Sequence, residues 1–246
     1  MRKVLFSLAI TSVLSSGAYA GSGAYIGLGI GNITSDSQAK IFAQGNNVGA
    51  ENISFDFPVR LKNNKALIGK VYGGYEFEFP LFSLLTEVGF SLDRAEAKYG
   101  KDLILTDALD NANQPPVITS TRLKRKNTFS IGVGIKKKIA NKLSVQVGVD
   151  LLSSFFEARN TGSADFIPPI RNVVQRKRAY GVAPWVGVSL DFGVIETGLR
   201  YQYSKYQTVK TSGEFVPQFL GHEFFSASSR VRPEYHSIML TIAKKF

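Results

Sequence analysis

Apolar residues return at every second position along most of this chain, in segments of similar length. Successive side chains of an extended chain point to opposite faces, so a two-residue period marks strands, whereas a helix shows a period near 3.6. Residues 24–33 set Ile26, Leu28 and Ile30 against Gly27, Gly29 and Gly31. Residues 70–79 set Val71, Tyr75, Phe77 and Phe79 against Lys70, Glu76 and Glu78. The same reading applies to residues 84–93, 128–136, 143–151, 179–192, 194–204 and 236–246. An all-β class with eight strands follows.

The two faces differ in an unusual way. One is Val, Ile, Leu, Phe and Tyr; the other is Gly, Ala and Ser with single charges, not the Lys-, Glu- and Thr-rich face of a solvated sheet. Each segment is roughly 9 to 14 residues, enough for a tilted strand to cross a bilayer. Short turns join strands two to three, four to five and six to seven (residues 80–83, 140–142 and 191–193), and long polar segments make the other connections. Tight turns at one end, long loops at the other and an even strand count describe an eight-stranded antiparallel up-and-down transmembrane barrel. Its four long loops are then extracellular, and both termini are periplasmic. A soluble sandwich or lipocalin also alternates, but the small-residue face suits a narrow, filled lumen better. Residues 52–57 (NISFDF) alternate too and extend the barrel if loop one adds strands.

The first 20 residues run from a basic start, Arg2 and Lys3, through an apolar stretch to Ala18-Tyr19-Ala20. That layout is a secretory signal peptide, with a buried N-terminal helix as the alternative. Residues 21–246 are then the barrel domain, with no periplasmic domain after the last strand. The full chain carries 30 Lys+Arg against 19 Asp+Glu, a formal charge of +11, and no cysteine. Export makes nucleic acid an improbable partner for the basic excess, and no nucleic-acid motif is present. An anionic membrane surface or anionic glycans remain.

Three short motifs carry a family likeness: GGYEF in strand two, APWVGV in strand six and GLRYQY in strand seven. With the alternating C-terminal segment ending in Phe246, they resemble the OmpA-type and opacity-type eight-stranded outer-membrane barrels. The resemblance implies residence in a bacterial outer membrane. It also implies an assembly signal at Ile238, Leu240, Ile242 and Phe246, read by the assembly machinery. Lys244 stands where the family commonly has an aromatic residue, and is expected to snorkel into the headgroups. Pro184 lies inside a strand, where a bulge is expected to accommodate it.

Facing the lumen are Lys70, Glu76, Glu87, Lys136, Asp150, Glu196 and Arg200. Buried charge is costly without a partner, so four acids and three bases imply a network that plugs the lumen, with Glu87–Lys136 as the expected pair. A narrow small-solute channel through the network is the alternative. Where long loops become strands, basic clusters recur: Arg122, Lys124, Arg125 and Lys126; Arg176, Lys177 and Arg178; Arg230 and Arg232. They are placed to meet lipopolysaccharide phosphates. Catalysis is not expected: the only histidines are His222 and His236, and Ser237, beside His236, faces the other way on a strand. No cofactor or metal is expected, and the protein reads as a monomer. Its role is structural or surface-exposed, with loops for adhesion or host surface molecules.

Overall fold

The computed structural model describes residues 22–46, 53–60, 64–101, 117–164, 173–215 and 224–246. The expected signal peptide lies outside the described residues. Eight strands form the barrel wall: β1 (Gly23–Ser35), β4 (Lys65–Glu78), β5 (Ser83–Asp93), β7 (Val117–Lys138), β8 (Leu143–Ala164), β9 (Val173–Asp191), β10 (Ile195–Tyr206) and β13 (Glu234–Lys245). Each pairs antiparallel with its neighbours, β1 pairs with β13, and the β5–β7 pairing closes the ring. Closure leaves the membrane-level wall without an edge, which a barrel must achieve to satisfy its backbone in lipid. Tight turns join the strands at the lower end of the barrel. In the last of them Gly193 takes φ 91°, a left-handed conformation that favours glycine, and its N–H is bound by the Asp191 carboxylate at 2.8 Å.

The wall continues past the membrane. Strands β2 (Gln38–Asn46), β3 (Ile53–Arg60), β11 (Val209–Phe215) and β12 (Phe224–Arg232) form a second sheet in the order β11-β12-β2-β3. This sheet stands above β10, β13, β1 and β4, as its pairings repeat theirs. Strand β6 (Glu96–Lys101) likewise continues β5 and pairs with the upper part of β7. Segments that read as long loops are therefore largely strand among the described residues, and of the alternating stretch 52–57, residues 53–57 fall in β3 while Asn52 lies outside the described residues.

The sign of the pattern inverts on the way up. At membrane level the outward side chains are apolar and exposed: Ile26, Leu28 and Ile30 on β1, Ile131, Val133 and Ile135 on β7, Ile238, Leu240 and Ile242 on β13. Higher up the inward side chains are apolar and buried. Ile33, Ala39, Ala95, Ala97, Leu123, Phe156, Ala158, Val209, Val231 and Tyr235 belong to one packed cluster. Outside them stand Lys40, Arg94, Lys98, Arg122 and Arg232. Lipid surrounds the lower half and water the upper half, so each half turns its apolar face to a different place.

Two details differ from the sequence reading. Pro184 produces no bulge: the β8–β9 register runs unbroken through Val149↔Pro184, and the β9–β10 ladder keeps its register on both sides of a gap there. The gap spans the Tyr203/Pro184 and Ser204/Ala183 positions, with the proline ring on the outer face. The bulge lies in β7 instead, between Arg125 and Asn127, making Lys126 the extra residue. A bulge reverses parity along its strand. Below it Thr128 and Ser130 face inward; above it Leu123 and Arg125 do.

Candidate functional site

The lumen is filled by ionised side chains in three tiers. In the middle tier Arg200 reaches both carboxylates, donating to Glu87 at 2.9 Å and to Asp150 at 3.1 and 3.2 Å. Lys70 donates to Glu87 at 2.6 Å and to Asp150 at 3.3 Å. Asp150 also accepts from the Trp185 indole at 2.9 Å and from Gln202 at 3.1 Å. The Arg200 guanidinium lies 3.8 Å from the Trp185 ring centroid, so the indole both donates to the network and supports it.

Small residues on the inner face make room for this. A Cβ at Gly132 would collide with the Asp150 carboxylate, and one at Gly134 or Gly148 with the Trp185 indole. The Gly and Ser face that distinguishes the sequence is thus the space the plug occupies.

In the lower tier, beside the tight turns, Lys136 holds Glu76 at 3.1 Å and Glu196 at 2.5 Å. Lys245 joins Glu76, Asp191 and Glu196 at 3.4, 2.8 and 3.0 Å. In the upper tier Arg125 is buried against Asp93, with contacts of 2.7 to 3.0 Å, and donates to the Tyr206 hydroxyl at 3.0 Å. Its guanidinium lies 4.5 Å from the Tyr235 ring centroid. Phe156 closes this aromatic group edge-on to Tyr206. Between the tiers lie cavities of about 40 and about 20 Å³, large enough only for isolated waters.

All seven charges placed in the lumen by parity point inward and take part in these contacts. The expected Glu87–Lys136 pair does not form. The β5–β7 register sets Glu87 opposite Gly132 and Lys136 opposite Ser83, near the end of β5. Lys136 therefore lies a full tier below Glu87. Sequence reasoning missed Asp93, Trp185, Asp191, Gln202 and Lys245, although each has the parity of the inner face.

Arg125 is not a rim residue: the β7 bulge turns it inward. The other rim residues stay outside the lumen network. Arg122 pairs with Glu96, and Lys126 with Glu157 at 2.5 Å. Lys124 is half-buried on the outer face. Arg176 approaches Glu157 at 3.7 Å, and Arg178 lies over the Phe155 ring. Lys177 is on the inner side of β9, above its last pair with β10, and is exposed. Arg230 and Arg232 face outward on β12. Ile238, Leu240, Ile242 and Phe246 all lie exposed on the outer surface, and Lys244 sits 5.1 Å from the Phe246 ring centroid. His236 faces outward with Nδ1 2.7 Å from the Tyr201 hydroxyl, while Ser237 is buried on the lumen side.

Hydrogen bonds from Lys126 first, then from Arg159, hold the Glu157 carboxyl down at about 2. Its ordinary value in an unfolded chain is about 4.3, so the folded form binds its proton less readily. The stabilisation it supplies is complete above that value and is lost as pH falls towards 2. Pepsin cleavage of the upper strands should therefore accelerate between pH 4 and pH 2. Glu157→Gln, digested in parallel at each pH, should remove that acceleration. Identical profiles for both proteins would disprove the assignment.

No protein-family model matches the chain, and no curated protein does. Among solved structures, the outer membrane protease OmpT of Escherichia coli superposes with a TM-score of 0.50 at 8% identity, covering 94% of this chain and 99% of that one. The described wall is likewise a closed antiparallel ring with an apolar outer belt. The chain has the fold of an outer-membrane β-barrel. Other barrels also match, with smaller superposition scores. OprG of Pseudomonas aeruginosa has a TM-score of 0.45 at 12% identity, covering 91% of this chain and 96% of that one. Neisserial surface protein A has a TM-score of 0.40 at 10% identity, covering 92% and 99%.

Proposed function

We propose that this barrel is a plugged structural protein of the bacterial outer membrane, with its termini periplasmic and its upper strands displayed outside the cell. The observation that carries the reading is the tiered lumen: each tier joins bases to acids, and the cavities between tiers are water-sized. A solute path would have to part buried ion pairs, whose separation leaves unpaired charge in a narrow space. The outer-facing basic residues suit contact with lipopolysaccharide phosphates, and the elevated strands suit adhesion to host surface molecules. The outward C-terminal strand suits recognition by the assembly machinery. A non-enzymatic role is supported by His236 and Ser237 pointing to opposite faces of β13.

Planar-bilayer recording tests the plug. The purified protein should give no steady, voltage-independent current. Large, sustained currents from a homogeneous sample would replace the plugged barrel with a small-solute channel. Thiol labelling of single-cysteine variants in the loops of intact cells tests orientation; loops closed to reagent from outside would invert the topology.

A further inference from the structure

The outer wall carries a groove where β4 and β5 part. Ile68↔Asp93 is their last pair. Above it Lys65, Ala66 and Leu67 pair with β1, while β6 pairs with β7. The parting is fixed by local bonds. Asp93 accepts the Ala95 N–H at 3.2 Å, and the Arg125 N–H binds the Ala95 carbonyl at 2.9 Å, which draws the chain towards β7.

The groove left behind has a volume of about 820 Å³. Ile30, Leu67 and Leu92 line its lower part and are exposed on the lipid-facing side. Gly69 lies among them, with open space where a Cβ would stand. Arg94, Lys124 and Lys126 line the upper part. Lys126 is engaged by Glu157, but Arg94 and Lys124 enter no ion pair among the described residues. Two cations with no ion pair among the described residues thus stand directly above an apolar trough, at the height where the outer surface changes from apolar to charged.

We propose that this groove binds a membrane lipid with a phosphate head. Its acyl chain lies over Ile30, Leu67 and Leu92 and crosses Gly69; its phosphate sits between Arg94 and Lys124. The two halves of the groove select the ligand together. A free anion gains nothing from the trough, and an uncharged lipid gains nothing from the cations. The proposal rests on the membrane reading of the barrel but concerns a site outside the lumen, and Arg94 belongs to none of the basic clusters seen in the sequence.

Native mass spectrometry of the protein folded in dodecyl maltoside tests it, with dimyristoyl phosphatidic acid, dimyristoyl phosphatidylcholine and inorganic phosphate as probes. One phosphatidic acid should be retained per barrel in preference to phosphatidylcholine. Arg94→Ala with Lys124→Ala should weaken that binding about thirtyfold, the effect of two surface cations on an anionic lipid. Gly69→Phe should fill the trough and remove the one-to-one adduct. Arg176→Ala with Arg178→Ala, away from the groove, should leave it unchanged. The proposal is overturned if the groove variants bind as the parent does, if the distant pair weakens binding equally, or if inorganic phosphate displaces the lipid. Folding of each variant is read from the migration of unheated protein on gels. The two groove variants alter opposite ends of the site, so either one decides the question. Failure to insert into vesicles would reject the membrane reading; insertion with binding blind to the headgroup would reject this site alone.

Discussion

Asp150→Ala will destabilise the barrel by about 3–5 kcal/mol, the cost of leaving buried charge without its partner. Asp150 is almost wholly buried, at 1% exposure, and accepts bonds from Lys70, Trp185, Arg200 and Gln202. Removing its carboxylate leaves Lys70 and Arg200 with Glu87 as their remaining acid, and one positive charge uncompensated in the middle tier. Replacing Arg200 by Met in the same chain should recover much of the loss, because it restores one base to one acid. Urea unfolding in lipid vesicles measures both. The chain has a single tryptophan, Trp185, which donates to Asp150, so its fluorescence reports on the plug itself. A single-variant loss below about 1 kcal/mol, the scale of an exposed ion pair, would mean that water reaches the tier freely.

A charge on the opposite face should be nearly as damaging for a different reason. Val71→Arg is expected to cost about 2–4 kcal/mol, the penalty of Arg at the bilayer midplane on a barrel's lipid face. Val71 is 51% exposed and lies between Leu28 and Phe90 on the neighbouring strands, far from either charged rim. Its neighbour in sequence, Lys70, carries its charge at 6% exposure because Glu87 and Asp150 face it and offset the cost of burial. If Val71→Arg unfolds at the same urea concentration as the parent in thick and thin bilayers alike, Val71 does not meet lipid.

The contrast between these adjacent residues shows how much the amino-acid order discloses. Parity alone assigns Val71 to lipid and Lys70 to the lumen, since a strand has no other way to place neighbours. The same rule covers Glu76, Glu87, Lys136, Asp150, Glu196 and Arg200, all of which point inward. It covers Trp185 and Lys245 equally well.

Parity fails where the strand itself is irregular. Arg125 reads as one of four rim residues within positions 122–126, yet the extra residue at Lys126 sends it inside to Asp93 and Tyr206. No residue type announces that bulge, whereas Pro184, which seems to announce one, leaves the register intact. The upper strands were hidden by a change of solvent rather than by irregularity. Ala39, Ala95 and Ala97 alternate with Gln38, Lys40, Arg94, Glu96 and Lys98 as regularly as the membrane segments do, but with small inward residues in place of large outward ones.

The sequence by itself determined the all-β class, the eight membrane-level segments and which face of each meets lipid. These are properties of one strand at a time, set by a two-residue period and by the cost of charge in hydrocarbon. Only the tertiary structure decided which acid meets which base, where β7 bulges, and that β4 and β5 part to leave a groove. Those depend on the register between strands, and a register shift of one residue moves every cross-strand partner while leaving the alternation within each strand unchanged.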